Sequence, residues 1–249
     1  MKNVLITGAT SGIGEEFARK FARRGYRLIL TGRNEEKLVE LSNTFGGNTR
    51  RIVADLTKES QCHELLDALE GERIDVFINN AGFGDFGDFT ETDLEKELNM
   101  IKVNDIAMHI LFKGILKKMV SNNRGVILNV ASVAGLLPAG PHMATYYATK
   151  AYVVNLTRAV ARELKEKKSK VYVCALCPGP VKTNFNATAG VRFLMPGITP
   201  EKCVDEAFEG MKRKKNIILP TRMLRTLMGI GTVLPENLLV LISSKIQRK

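Results

Sequence analysis

Three side chains in the middle of this 249-residue chain have the types and the spacing needed for proton transfer to a carbonyl oxygen. Tyr146 and Lys150 stand four positions apart in a stretch with helical spacing, so both would lie on one helix face. A free tyrosine, with a pKa of about 10, is a poor acid at neutral pH, but a nearby ammonium stabilises the phenolate and lowers that pKa. Ser132 follows an apolar strand at 125–130, where its hydroxyl could donate to a substrate oxygen. The rival phenol, Tyr147, has only Ala151 four positions later.

A glycine-rich turn near the start of the chain predicts a site for a phosphate group. The apolar run 4–6 predicts a buried parallel strand, and apolar residues at 17, 18, 21 and 22 predict a helix after it. Glycines between them let the backbone approach a phosphate at the helix N-terminus, where free N–H groups and the helix dipole favour an anion. The predicted contacts are Gly8, Thr10, Ser11, Gly12, Ile13 and Gly14.

A second glycine-rich stretch, residues 82–87, fits the common G-x-G-x-x-G pattern, but no helix begins directly after it. Helical spacing resumes only near Leu94, for which Thr90 or Thr92 is the expected N-terminal cap. We therefore expect a loop at the end of a strand here, and no second phosphate site.

Strands and helices alternate along the chain, which is typical of an α/β fold with a doubly wound parallel sheet and helices on both faces. About seven strands are predicted, at 3–7, 27–31, 51–54, 74–79, 125–130, 170–176 and 216–219. The length suits a single domain over residues 1–249, in which the one long irregular stretch runs from Pro178 to Pro200.

Charge and cysteine content argue against several other classes of protein. The net charge of +11 would suit nucleic acid or an anionic membrane, but the basic residues are dispersed and no nucleic-acid-binding motif accompanies them. No apolar stretch is long enough to span a bilayer and no secretory signal is visible, so a cytoplasmic protein is expected. Cys174 and Cys177 would point to opposite faces of one strand and no histidine cluster accompanies them, so we expect buried thiols and no metal site.

Taken in order, the motifs resemble those of the short-chain dehydrogenase/reductase family over roughly residues 1–185. The resemblance implies a Rossmann-like NAD(P)-binding domain in which Tyr146 is the general acid/base, Ser132 polarises the carbonyl, and Lys150 binds the nicotinamide ribose and tunes Tyr146. It also implies that Asn104 holds the water of a proton relay. Ser132 and Tyr146 stand one residue farther apart than is usual in the family, and the loop at 138–141 can absorb that residue. The shared motifs are the turn at 7–14, Asn79-Asn80-Ala81-Gly82, Ser132, Tyr146-x-x-x-Lys150 and Pro178-Gly179-x-Val181-x-Thr183.

The end of the second strand narrows the choice of cofactor. NAD enzymes place an acid there for the ribose 2′-OH, whereas an arginine accommodates the 2′-phosphate of NADP. The segment Leu30-Thr31-Gly32-Arg33 offers an arginine and no acid, so NADP(H) is predicted. The resemblance adds these cofactor contacts: Asp55, Leu56, Asn80, Ala81, Gly82, Lys150, Pro178, Gly179, Val181 and Thr183.

Apolar side chains near the site predict a hydrophobic carbonyl or alcohol as substrate, of fatty-acyl, steroid-like or xenobiotic type. The segment at about 184–200 resembles the family's mobile substrate lid. The apolar tail at about 221–249, with basic ends, could pack on the body of the protein, on a partner subunit in a homodimer or homotetramer, or on a membrane. The apolar residues considered are Phe83, Phe86, Leu136, Val191, Phe193, Leu194 and Met195.

The leading hypothesis is an NADP-dependent oxidoreductase that transfers a hydride between nicotinamide and a ketone or secondary alcohol. A non-catalytic NADP-binding regulator with the same fold is the first alternative, although such a protein needs no proton donor. A binder of nucleic acid or of membrane surfaces is the second, and it depends on the net charge alone.

Overall fold

The computed structural model describes residues 1–46, 48–194, 196–231 and 233–248. The strands are β1 (Asn3–Thr7), β2 (Arg27–Gly32), β3 (Thr49–Val53), β4 (Val76–Asn79), β5 (Val126–Val130), β6 (Tyr172–Leu176), β7 (Arg192–Phe193), β8 (Ile217–Ile218) and β9 (Gln247–Arg248). Within the described residues, seven of them form one parallel sheet in the order β3-β2-β1-β4-β5-β6-β8, while β7 and β9 form an antiparallel pair. The doubly wound sheet is confirmed, and its strands end within two residues of the predicted positions.

Helices cover both faces of this sheet and enclose two hydrophobic cores. The core on one face is formed with the helices at 59–68, 108–121 and 144–166, and the other with the helices at 12–22, 35–45 and 200–212. Cys177 belongs to the first core and Cys174 to the second, so these thiols lie on opposite faces, as predicted. The helical elements are α1 (Gly12–Ala22), α2 (Glu35–Phe45), α3 (Glu59–Ala68), α4 (Leu94–Ile101), a π-helical turn (Lys102–Ala107), α5 (Met108–Ser121), a 3₁₀ turn (Val133–Leu136), α6 (Ala144–Glu166), α7 (Phe185–Ala189), α8 (Pro200–Lys212), α9 (Arg222–Gly231) and α10 (Glu236–Ile246).

The N-terminal cap of α4 differs from the prediction. The carboxylate of Asp93, and not Thr90 or Thr92, accepts a hydrogen bond from the backbone N–H of Lys96. Thr92 instead donates its hydroxyl hydrogen to Glu97 on the first turn of the same helix. Aspartate is as good a cap as threonine or better, and its charge also complements the positive end of the helix dipole.

The end of the chain folds over the carboxyl edge of the sheet. Within the stretch predicted to be irregular, α7 and β7 form, and β9 pairs with β7. Helices α9 and α10 turn some apolar side chains towards the body and leave Met223 and Leu241 largely exposed, and Val233, between the two helices, is exposed as well. No helix among the described residues is both long enough and apolar enough to cross a bilayer.

A threonine hydroxyl joins the ends of β1 and β4, the two strands at the centre of the sheet. The fully buried Thr7 Oγ1 accepts hydrogen bonds from the backbone N–H groups of Asn80, at 2.9 Å, and Ala81, at 3.0 Å. In return, the Asn80 side-chain amide donates to the carbonyl oxygens of Thr7 and Gly8. These bonds hold the glycine turn against the loop that follows β4.

We expect Thr7→Val to lower the free energy of unfolding by about 2–4 kcal/mol, because it leaves two enclosed N–H groups without an acceptor. Urea denaturation measures this change. The matched control, Thr7→Ser, keeps the hydroxyl and loses only a methyl group, so it should be clearly more stable than Thr7→Val. Equal stability of the two variants would contradict the role assigned to the hydroxyl.

Candidate active site

A cavity of about 510 Å³ lies at the carboxyl edge of the sheet, where ligands bind in open α/β folds. The predicted cofactor residues line it, with the exception of Gly14, which lies behind the turn. Ser132, Tyr146 and Lys150 line the same cavity, and Asn104 does not. The structure therefore brings the glycine turn and the three reactive side chains together, although more than a hundred residues separate them in the sequence.

The turn between β1 and α1 has the shape of a phosphate cradle. Gly8 and Gly12 have φ of 61° and 57°, values that favour glycine. A Cβ on Gly14 would lie 2.3 Å from the carbonyl oxygen of Gly8, so only glycine fits there. Ser11, the N-cap of α1, makes no capping bond with its side chain, and the helix begins at the cavity. These features fit a bound pyrophosphate at a helix N-terminus.

The predicted adenosine end of the cavity combines one basic and one acidic residue. Arg33 is exposed at the rim, and its charge helps to lower the pKa of Asp55. Burial is the largest single effect on that pKa and raises it, but hydrogen bonds from the Thr57 backbone and hydroxyl, together with the charges of Arg33 and Lys58, bring the pKa of Asp55 below its usual value. Asp55 is thus held as an anion beside the position predicted for the adenine.

Tyr146, Ser132 and Lys150 meet on the floor of the cavity. The phenol is 8% exposed, and burial raises its pKa above the usual value, while a hydrogen-bonding contribution from Ser132 lowers it. Lys150 is 5% exposed, lies 5.8 Å from the centre of the Tyr146 ring and donates to the carbonyl oxygen of Val130 at 3.2 Å. Burial lowers the pKa of Lys150 to about 8. In this structure burial governs the phenol, and the expected lowering of its pKa by the ammonium is not seen.

Asn104 lies in the π-helical turn between α4 and α5, a kind of irregularity that is frequent at functional sites. Its amide donates to the Phe83 carbonyl at 2.9 Å and to the Thr149 hydroxyl at 3.1 Å, and its carbonyl accepts from the Phe83 backbone N–H. Thr149 in turn donates to the backbone carbonyl of Tyr146. The Asn104 side chain is therefore occupied in joining the loop after β4 to the helix that carries Tyr146.

Two polar residues, one in the cavity wall and one in the π-helical turn beside Asn104, were not predicted from the sequence. Asp105 follows Asn104, and one of its carboxylate oxygens is buried with no hydrogen-bond partner in the described chain. Burial raises the pKa of Asp105 to about 7, and the charge of Lys150 opposes this rise. Gln247, at the end of the chain, donates to the hydroxyl of Tyr147 inside the cavity. No short sequence pattern relates these partners, since 45 and 100 positions separate them.

The apolar residues predicted to contact substrate have mixed positions. Phe83 and Phe193 line the cavity, whereas Leu136 packs against a core and Phe86 packs near His142. Val191 is buried in a small cluster around Tyr146 and Tyr147, Leu194 is exposed, and Met195 lies outside the described residues. The sequence prediction did not include the apolar side chains that α9 and α10 contribute to the cavity, among them Leu224, Met228, Leu239 and Ile242.

The chain is similar to known proteins in both sequence and structure. The sequence matches the short chain dehydrogenase family over residues 2–191. It is similar to a 7beta-hydroxysteroid dehydrogenase from Collinsella aerofaciens, with 31% identity over 226 residues that cover 88% of this chain and 86% of the relative. The chain belongs to the short chain dehydrogenase family, whose members are oxidoreductases of CH–OH and C=O groups.

Among solved structures of similar fold, one is a complex with NADPH and another is a complex with NAD. A short-chain dehydrogenase from Sphingobium yanoikuyae in complex with NADPH has a TM-score of 0.83 and 30% identity, covering 95% of this chain and 97% of that chain. A short chain dehydrogenase/reductase from Burkholderia phymatum in complex with NAD has a TM-score of 0.82 and 26% identity, covering 92% of each. Similarity to these structures therefore supports a nicotinamide cofactor but does not distinguish NADP from NAD.

The buried carboxyl of Asp105 predicts a pH-dependent effect on stability. Its folded pKa, about 7, lies above the ordinary 3.8, so ionisation of the unfolded chain removes stability as the pH rises from about 4 to 7. Asp105→Asn abolishes this loss, so the Tm of the variant relative to wild type should be several degrees higher at pH 8 than at pH 4.5. In a chain of this size about 1 kcal/mol shifts Tm by roughly 2–4 °C.

Thermal unfolding followed by circular dichroism at both pH values checks this expectation. Asp67→Asn, an exposed change on α3, is the matched control and should show no such pH-dependent difference. A Tm difference for Asp105→Asn that stays constant across the range would show that the carboxyl is not penalised in the folded state.

Proposed function

We propose that the protein is an NADP(H)-dependent oxidoreductase acting on a hydrophobic ketone or secondary alcohol. The observation that carries the proposal is the shared cavity, in which the phosphate cradle lies at one end and Tyr146, Ser132 and Lys150 lie together on the floor. A regulator that only binds NADP needs the first feature and not the second. We therefore favour an enzyme over a regulator that only binds NADP.

In the reducing direction Tyr146 donates its phenolic proton to the carbonyl oxygen, and Ser132 donates a hydrogen bond to the same oxygen. Burial keeps this phenol protonated but also makes it a weaker acid, so the release of its proton needs stabilisation by a nearby positive charge. A nicotinamide held in this cavity would supply the hydride to the carbonyl carbon in this direction and would accept it in the reverse direction. Lys150 holds the nicotinamide ribose and carries positive charge near the phenol as the proton leaves. Asn104 acts as a positioning residue, through Phe83 and Thr149.

The rim of the cavity favours NADP over NAD. Arg33 is exposed there, and within the described chain it makes no hydrogen bond or ion pair that would compete for its guanidinium. Gly32 supplies no acid to bind a ribose 2′-OH or to repel a 2′-phosphate. A guanidinium and a phosphate form paired, charge-assisted hydrogen bonds, which the hydroxyls of NAD cannot match.

The substrate side of the cavity is apolar, because α9 and α10 cover it with aliphatic side chains. This lining suits a fatty-acyl, steroid-like or xenobiotic carbonyl, and the relative from Collinsella aerofaciens is named for a steroid substrate. Assembly into a homodimer or homotetramer and a cytoplasmic location belong to the same proposal. The apolar side chains exposed on α9 and α10 offer a surface for self-association. Screening a panel of ketones for NADPH oxidation tests the activity directly.

We expect Tyr146→Phe to lower kcat by about 10²- to 10⁴-fold, because it removes the proposed acid and keeps the ring. The affinity for NADPH, measured by fluorescence titration, should stay close to wild type. Tyr152→Phe is a matched control on the same helix, since its hydroxyl contacts His109 away from the cavity. A Tyr146→Phe enzyme that keeps a substantial fraction of the rate would move the acid elsewhere, with Tyr147 as the first candidate.

Cofactor choice gives a second test. Hydrogen bonds to charged groups contribute about 1.5–3 kcal/mol, so NADPH should bind on the order of tenfold to a hundredfold more tightly than NADH. Arg33→Ala should remove most of this preference by weakening NADPH alone. Gly32→Asp should shift the preference towards NADH, provided that Thr10, 3.0 Å from a Cβ built at Gly32, gives way.

Titration of both cofactors against each variant measures these preferences. Arg23→Ala is the matched control, because it removes the same charge from an exposed position outside the cavity and should keep the preference. Equal affinities in the wild type, or an Arg33→Ala protein that still strongly prefers NADPH, would defeat the assignment.

A further inference from the structure

Residues 243–247 are held over the substrate side of the cavity. Strand β9 pairs with β7, so that Gln247 stands opposite Phe193. The Leu194 backbone N–H donates to the Ile246 carbonyl at 3.1 Å, and the Ser243 hydroxyl donates to the Ala139 carbonyl at 2.9 Å. The lid and the tail are therefore joined by backbone hydrogen bonds, and both form part of the cavity wall.

Gln247 carries an unsatisfied polar group into this wall. Its side chain is 4% exposed and lines the cavity, and its amide nitrogen donates to the Tyr147 hydroxyl. The other end of the amide, Oε1, is buried without a hydrogen-bond partner among the described residues. Buried carbonyl oxygens are rarely left unpaired, because the loss of their hydration is not compensated.

The Tyr147 hydroxyl completes a small polar patch with this amide. It accepts the Gln247 hydrogen bond, which leaves its own hydrogen free to be donated. Burial raises the pKa of Tyr147 to about 12, so the group stays protonated at neutral pH. Tyr147 adjoins Tyr146, with ring centres 6.4 Å apart. Gln247 and Tyr147 thus place one unpaired acceptor and one available donor in the wall of the cavity that Tyr146 also lines.

From these contacts we infer that Gln247 and Tyr147 bind a second hydroxyl group on an otherwise apolar substrate. A substrate hydroxyl can donate to Oε1 and accept from the phenol at once, and the aliphatic side chains of α9 and α10 favour an apolar skeleton around it. The inference rests on the proposed function, since it assumes a ketone or alcohol at Tyr146. It narrows the substrate class to hydroxylated ketones or diols with one polar group remote from the reacting carbon.

Matched ketone pairs test the inference. Cyclohexanone, 2-decalone and androstan-3-one are each compared with the same ketone carrying one hydroxyl at the far end of its ring system. In one of these pairs the hydroxylated ketone should be long enough to reach from Tyr146 to Gln247. For that pair the hydroxyl should lower KM by about threefold to tenfold, with little effect on kcat, as expected when one neutral hydrogen bond stabilises the bound substrate and the transition state equally. Gln247→Leu should abolish this ratio.

Two further variants distinguish a specific contact from a general effect on the tail. Ser243→Ala loosens the attachment of α10 to Ala139 and should keep the hydroxyl preference. Asn186 also lines the cavity and has a buried Oδ1 without a partner in the described chain, so Asn186→Leu removes the competing acceptor. A preference that survives Gln247→Leu, or that disappears with Asn186→Leu instead, overturns the assignment.

Failure of the proposed reaction can be recognised separately. If no ketone is turned over, calorimetric titration of the same pairs into wild type and Gln247→Leu measures Kd without any reaction. If the hydroxylated ketone binds with the lower Kd and Gln247→Leu abolishes this difference, the contact is supported and only the proposed reaction is rejected. Absence of any preference in the wild type, in both KM and Kd, overturns the inference itself.

Discussion

The rest of the site depends on the requirement that buried amides at the carboxyl edge of the sheet be hydrogen-bonded. Asn79, at the end of β4, donates to the Met108 carbonyl and to the side-chain carbonyl of Asn129 on β5. Asn129 donates to Thr157 on α6. Each bond joins elements far apart in the sequence, so the network fixes the positions of α5 and α6 against the strands that end beneath the cavity. An apolar residue at one position would leave its partner buried and unsatisfied.

Burial of the reactive groups follows from this fixed packing. Because α6 is held against the sheet edge, Tyr146 and Lys150 are almost removed from solvent, and the phenol becomes a weaker acid while the ammonium becomes a stronger one. As a result, the Tyr146 phenol holds its proton more tightly than the Lys150 ammonium does, whereas the ordinary pKa of lysine is slightly higher than that of tyrosine. A bound substrate or cofactor that adds charge at the cavity would then act on groups with little water to screen them.

Local patterns were sufficient to predict the seven strands of the parallel sheet and the helix that carries Tyr146 and Lys150, but not α7, β7 or β9. The apolar run 4–6, the glycine turn and the spacing of Tyr146 and Lys150 each depend on neighbours within a few residues, and the structure brings them together at one edge of the sheet. The predicted cap of α4 was wrong because Thr90, Thr92 and Asp93 are all good capping residues and stand close together in the sequence. Only the backbone angles of the folded chain select Asp93. The contact of Gln247 with Tyr147 and the burial of Asp105 arise from long-range packing, which no local period encodes.

The cavity is built from two parts of the chain whose structures depend differently on sequence. The reactive end uses side chains on α6, in the π-helical turn and in the loops that directly follow β4 and β5. A change of residue there removes a hydrogen bond or introduces a clash, as at Gly82, where an added Cβ would lie 2.8 Å from the side-chain oxygen Oδ1 of Asn104. The substrate end is closed by α9, α10 and a two-residue strand pair, which are held largely by backbone bonds and aliphatic contacts. Backbone pairing tolerates many side chains, so this segment can change its lining residues while the reactive end keeps its geometry. Under the proposed function, substrate selectivity would therefore reside largely in residues after 184, together with Tyr147, and the chemistry in residues before 184.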